Sequence, residues 1–144
     1  GVQLTAIDIS PEMLGIARQR AGDLGMDVDL RTGDAQELDF PDASFDTVVS
    51  TLSMCTIPNE RQAIREARRV LRPGGAFVLF EHVGSPNPVV RSIQQALDSL
   101  SVRFAADHLL REPAAILQDE GFMIDHLERS GLGVIERISA RRAG

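Results

Sequence analysis

The chain has 144 residues, 43% of them apolar and 25% charged, with a formal net charge of −6. That length supports one domain with a core of its own, and the composition is that of an ordinary globular chain. The negative balance excludes a broad electrostatic grip on nucleic acid, and no apolar run reaches the ~18 residues of a membrane span. All fifteen basic residues are arginine and they are scattered; the group Arg137, Arg141 and Arg142 reads as solvated surface. A single cysteine, Cys55, excludes an internal disulfide and fits a reducing, cytoplasmic compartment.

Residues 2–9 form an apolar run that predicts a buried strand, broken near its end by Asp8. Ser10 is a good N-cap and Pro11 a natural first helical residue. The helix they start carries Leu14, Ala17, Ala21 and Leu24 on one face and stops at Gly25. A second strand, around Val28–Thr32, runs into Gly33-Asp34-Ala35, and a β-branched stretch from Phe45 predicts a third. Asn59 can cap the next helix, whose apolar stripe is Ala63, Ile64, Ala67, Val70 and Leu71. Its arginines, Arg61, Arg65, Arg68 and Arg69, are expected to face mostly water, as is Glu66.

Pro73-Gly74-Gly75 ends that helix and turns the chain into a fourth apolar strand over residues 76–83. Val89, Val90, Ile93, Leu97, Leu100 and Phe104 then fall at helical spacing, and a short helix covers about Pro113–Asp119. The remainder reads as two strands joined by a glycine-containing turn, a hairpin that adds antiparallel pairing at the sheet edge. This alternation, with strands apolar on both faces, predicts an α/β fold in which helices cover a mostly parallel sheet, in one domain over residues 1–144.

Ligands of open α/β sheets bind at the carboxyl ends of the strands. Asp8 stands at such an end, where a carboxylate accepts hydrogen bonds from the vicinal hydroxyls of a ribose; it equally suits support of the Ser10 cap. Asp34 ends the next strand in the same way, either reading an exocyclic adenine amine or stabilising a turn. Two acids on adjacent strand ends point to an adenosine site more strongly than either one does.

The segments TAIDISPEML, RTGDAQELDFPDASFDTVVS and EARRVLRPGGAFVLFEHV resemble class I S-adenosylmethionine-dependent methyltransferases, in register over nearly the whole chain. The resemblance implies a Rossmann-like, doubly wound sheet and S-adenosylmethionine as cofactor. It assigns Asp8 to the ribose, with Ile9 and Met13 packing nearby, Asp34 and Ala35 to the adenine edge, and Thr51 and Leu52 to the methionine portion. The family also has a first strand and a glycine-rich loop upstream of the segments seen here. That N-terminal βα unit is expected ahead of Gly1, its strand pairing with those at residues 2–9 and 47–52, so the 144 residues read as a fragment.

Methyl transfer from a sulfonium is an in-line displacement that needs no metal. Where the acceptor must lose a proton, Glu81 and His82 are the candidate catalytic groups, with Asp107 and His108 later in the chain. Cys55 reads as a packing residue and His126 as a solvated one. The region from residue 88 to 113 is similar to that of small methyltransferases acting on thiols, phospholipid amines or quinone-type acceptors. Ile93, Leu97, Leu100 and Phe104 suit either a lipophilic acceptor pocket or packing on the sheet. The expected partner is a small, apolar acceptor, with peripheral membrane contact and oligomeric state left open. An acid after the second strand of such a fold also suits a nicotinamide ribose, so a dehydrogenase is the alternative enzyme, and an inactive fragment or non-catalytic partner the third reading. The Gly-Asp-Ala acid, the LRPGG turn and the hairpin favour methyl transfer.

Overall fold

The structure, a computed structural model, describes residues 1–105 and 112–144, with side chains described for residues 1–96 and 112–144. The elements run β1 (Leu4–Asp8), α1 (Pro11–Asp23), β2 (Val28–Thr32), β3 (Phe45–Thr51), α2 (Glu60–Val70), β4 (Leu71–His82), α3 (Pro88–Ala105), α4 (Pro113–Asp119), β5 (Phe122–Ser130) and β6 (Ile135–Arg142). They fall into two compact units, Gly1–Asp39 and Phe40–Gly144.

In the first unit β1 and β2 pair in parallel, from Leu4 opposite Val28 to Asp8 opposite Thr32, and α1 makes the crossover. Ser10 caps α1, its Oγ accepting from the Met13 amide at 3.3 Å, and Pro11 opens the helix where its missing N–H costs nothing. At the other end Gly25 takes φ +62°. The Met26 amide donates to Ala21 O and the Gly25 amide to Gly22 O, the paired bonds of a glycine-terminated helix. Leu14, 5% exposed, is the one buried apolar side chain of this unit.

The second unit holds a four-stranded sheet in the order β3-β4-β6-β5. β3 and β4 are parallel; β6 runs antiparallel to both β4 and β5. The predicted antiparallel pairing is thus present, but β6 takes an inner position and β5 is the edge. One sheet face carries Phe77, Leu79, Ile138 and Ala140, buried with Ile64, Ala67 and Val70 of α2 and Leu117 of α4. The arginine face of α2 is less solvated than predicted. Arg61 and Arg65 bind Glu120 at 2.6 and 2.9 Å, and Arg69 binds Glu66 and Asp42, each at 2.8 Å.

The Pro-Gly-Gly turn also differs from the sequence expectation, because β4 already begins at Leu71. Phe45 pairs with Leu71 and Thr47 with Ala76, so the intervening residues form a bulge in the ladder. A Cβ at Gly75 would meet the Arg72 and Asp46 carbonyl oxygens at 2.9 and 3.0 Å, which explains the glycine there. β1 has β2 as a strand partner and β3 has β4, and among the described residues neither has a second. The two edges with which the predicted upstream strand would pair are therefore open. No described helix is long and apolar enough to cross a membrane.

Candidate functional site

Asp8 closes β1 half-buried, and its two oxygens are placed differently. Oδ1 accepts from the Ser10 amide at 2.8 Å, the cap support that the sequence suggests, while Oδ2 has no partner among the described residues. An ionised carboxylate accepts several hydrogen bonds, so cap support and a hydroxyl ligand are compatible on one side chain. Beside it Ile9 is 72% exposed and Met13 51%, large apolar side chains left in the open next to an unsatisfied acceptor. The Gly33 amide donates to Asp8 O at 3.1 Å, which brings the Gly33-Asp34-Ala35 turn against the end of β1.

Asp34 is more occupied. Its Oδ1 accepts from the Gln36 amide at 2.8 Å, and Gln36 Nε2 reaches both of its oxygens at 3.1 Å. The turn-stabilising role is therefore realised, with acceptor capacity remaining on Oδ2. Ala35, half-buried, adds only a methyl beside it.

In the second unit, Thr51 and Leu52 end β3 exposed, the Leu52 amide donating to Phe80 O at 2.8 Å. Leu52 sits at φ +51°, a left-handed conformation that a branched side chain adopts only when held. Glu81 supplies part of that hold. It is 1% exposed, in the buried row with Phe77 and Leu79, and accepts from Ser50 Oγ at 2.7 Å, the Ser53 amide at 3.3 Å and the Met54 amide at 3.1 Å. Burial pushes its carboxyl above the usual glutamate range, against the lowering effect of those three donors.

The two catalytic candidates differ in exposure: Glu81 is buried, and its neighbour His82 is half-buried on the opposite face of β4. Cys55 is buried, its Sγ 3.7 Å from Leu52 O, and His126 is exposed. Asp107 and His108 lie outside the described residues, as do the side chains of Leu97, Leu100 and Phe104. The sequence reading did not single out Ser50, Ser53 or Met54. The one available sign was a serine, Ser50, inside an otherwise β-branched stretch.

A parallel strand pair closed by acids, and a four-stranded sheet with an inserted antiparallel strand, are each parts of a Rossmann-like α/β fold. Residues 1–79 match the methyltransferase domain family, and the chain belongs to that family. It is 38% identical over 98 residues to a phosphatidylethanolamine N-methyltransferase of Cereibacter sphaeroides, covering 67% of this chain and 48% of that protein. It is 40% identical over 86 residues to a ubiquinone/menaquinone biosynthesis C-methyltransferase of Methylobacterium nodulans, covering 58% and 34%. The chain thus spans about half or less of these curated relatives. In fold it is similar to a crystal structure described as a putative methyltransferase of Bacillus halodurans, with TM-score 0.83 and 17% identity over 99% of this chain and 84% of the other.

Proposed function

We propose that the chain forms part of an S-adenosylmethionine-dependent methyltransferase acting on a small, apolar acceptor. The observation that carries this reading is Asp8, with one oxygen on the Ser10 amide, the other unpartnered among the described residues, and exposed Ile9 and Met13 beside it. That arrangement fits an adenosine: Oδ2 would accept from the ribose hydroxyls and the two apolar side chains would pack against the base. Asp34 would read the adenine amine through its remaining acceptor capacity, with Ala35 leaving room for the ring. Thr51 and Leu52 would face the methionine end.

S-adenosylmethionine, when bound, supplies an electrophilic methyl on a sulfonium. The protein's part is to orient the acceptor, exclude water and, where the acceptor is protonated, receive its proton. His82 is the residue for that last task, since its ring is open where Glu81 is not. Support for an apolar acceptor comes from the lipid and quinone pathways named for the relatives and from Val89 and Ile93, which stand exposed on α3. The reading also calls for the upstream strand and glycine-rich loop, for which the open edges of β1 and β3 are suited.

The test is calorimetry on the full-length protein. Asp8→Ala should weaken S-adenosylmethionine binding by about 2–4 kcal/mol, the loss of charge-assisted hydrogen bonds. Asp34→Asn, which keeps an acceptor oxygen, should lose less affinity than Asp34→Ala. Unchanged binding in Asp8→Ala would sink the assignment, and equal losses in the two Asp34 variants would remove the amine contact.

A further inference from the structure

Resting on that methyl-donor reading, we propose that Glu81 is a positioning residue: it fixes the left-handed Leu52 turn at the carboxyl end of β3 and thereby the backbone that faces the donor. Leu52, at φ +51°, occupies a region that glycine favours, so the chain holds that shape only if its neighbours dictate it. On one side the hold is the Leu52 amide on Phe80 O. On the other, the next two amides, of Ser53 and Met54, converge on the two oxygens of Glu81.

Successive amides around a left-handed residue make a small concavity for an anion. Here a carboxylate of the neighbouring strand fills it. Ser50 Oγ, donating at 2.7 Å, orients that carboxylate, and Met54 and Cys55, which follow in the turn, are buried. Thr51 and Leu52 stay exposed above. Glu81 therefore grips an exposed turn from the inside of the sheet. A general base needs an open lone pair and a path to the acceptor; Glu81 has three donors on its oxygens and faces away from His82.

The deciding variant is Glu81→Gln in the full-length protein, because it keeps the shape but turns an NH₂ toward an amide donor. Hydrogen exchange at the Ser53 and Met54 amides should quicken while the β4–β6 ladder keeps its protection. Affinity for S-adenosylhomocysteine should fall about tenfold, the scale of one lost charged hydrogen bond acting through the backbone. The pH profile of kcat should keep its shape. Ser50→Ala, which removes one donor and leaves the carboxylate, guards against a folding failure and should move exchange and affinity the same way by less. Unchanged exchange at Ser53 and Met54 would overturn the proposal. So would a lost limb of the pH profile with donor affinity intact, the signature of a base. If the unmodified protein failed to bind S-adenosylhomocysteine, the donor reading would fall, while exchange at the two amides would still decide whether Glu81 holds the turn.

Discussion

Residues 1–39 and residues 40–144 each contain a parallel strand pair joined by a crossover helix, yet they reach opposite degrees of burial. The first unit pairs two five-residue strands and buries one apolar side chain, Leu14. The second closes four strands over a core that includes Ile64, Leu71, Phe77, Leu79, Leu117 and Ile138. Two strands are marginal in water without more sheet or another layer. The thin unit is also the one that carries Asp8 and Asp34. A ligand that binds there adds its binding free energy to the weakest part of the fold, so order in residues 1–39 and occupancy of the site should be coupled.

The comparison breaks most visibly at Arg129. Its Nε lies 2.6 Å from Oε2 of Glu136, a fully buried carboxylate whose other oxygen has no partner among the described residues. Arg129→Ala strands that charge and should destabilise the four-stranded unit by about 3–5 kcal/mol, read in denaturant melts. Adding Glu136→Leu should recover most of the loss, and a double variant no better than the single would show that the pair is not the cause. Leu14→Ala is the matching blow to the first unit, about 2–3 kcal/mol for a leucine with so few neighbours. Amide exchange should quicken across β1 and β2 and stay unchanged in β4 and β6. Loss of protection in both units at once would mean that they unfold together.

The smallest effect sharpens the contrast within the second unit, where two glutamates titrate with opposite sign. Arg65, together with Arg61 and against desolvation, holds the Glu120 carboxyl below its usual range. Its contribution is complete above the ordinary glutamate pKa of ~4.3 and is lost as pH falls through the depressed value. Burial raises Glu81, so the folded state holds that proton more tightly than the unfolded chain does. That contribution is fullest below the ordinary value and is lost as pH rises through the raised one. Acid melts should show Glu120→Gln losing its penalty toward low pH and Glu81→Gln gaining one, and parallel curves for the two variants would contradict both assignments.

Much of this was legible in the sequence because local chemistry dictates it. Ser10-Pro11 started α1 and Gly25 stopped it, Asn59 capped α2 through Gln62, and Asp8 fell at the end of its strand. What stayed hidden depends on register. Residues 76–83 are apolar on both faces, so nothing local tells that Glu81 shares the buried row of Phe77 while His82 does not. Arg129 and Glu136 become partners only through the β5–β6 register, and Arg61 and Arg65 meet Glu120 only once α4 is in place. The start of β4 at Leu71 escaped for a related reason: Pro-Gly-Gly signals a turn, and only the partner strand converts that turn into a bulge.

The inner place of β6 bears on how the protein is made. During synthesis β6 leaves the ribosome roughly fifty residues after β4, about 3–10 s later at ~5–20 residues per second. Until then the edge of β4 from Ala76 to His82 has no partner, and β5 has no strand to join, because both pair with β6. The nascent chain therefore exposes an apolar strand for seconds, a window in which chaperones or misassociation compete with folding. Closure of the sheet waits for β6.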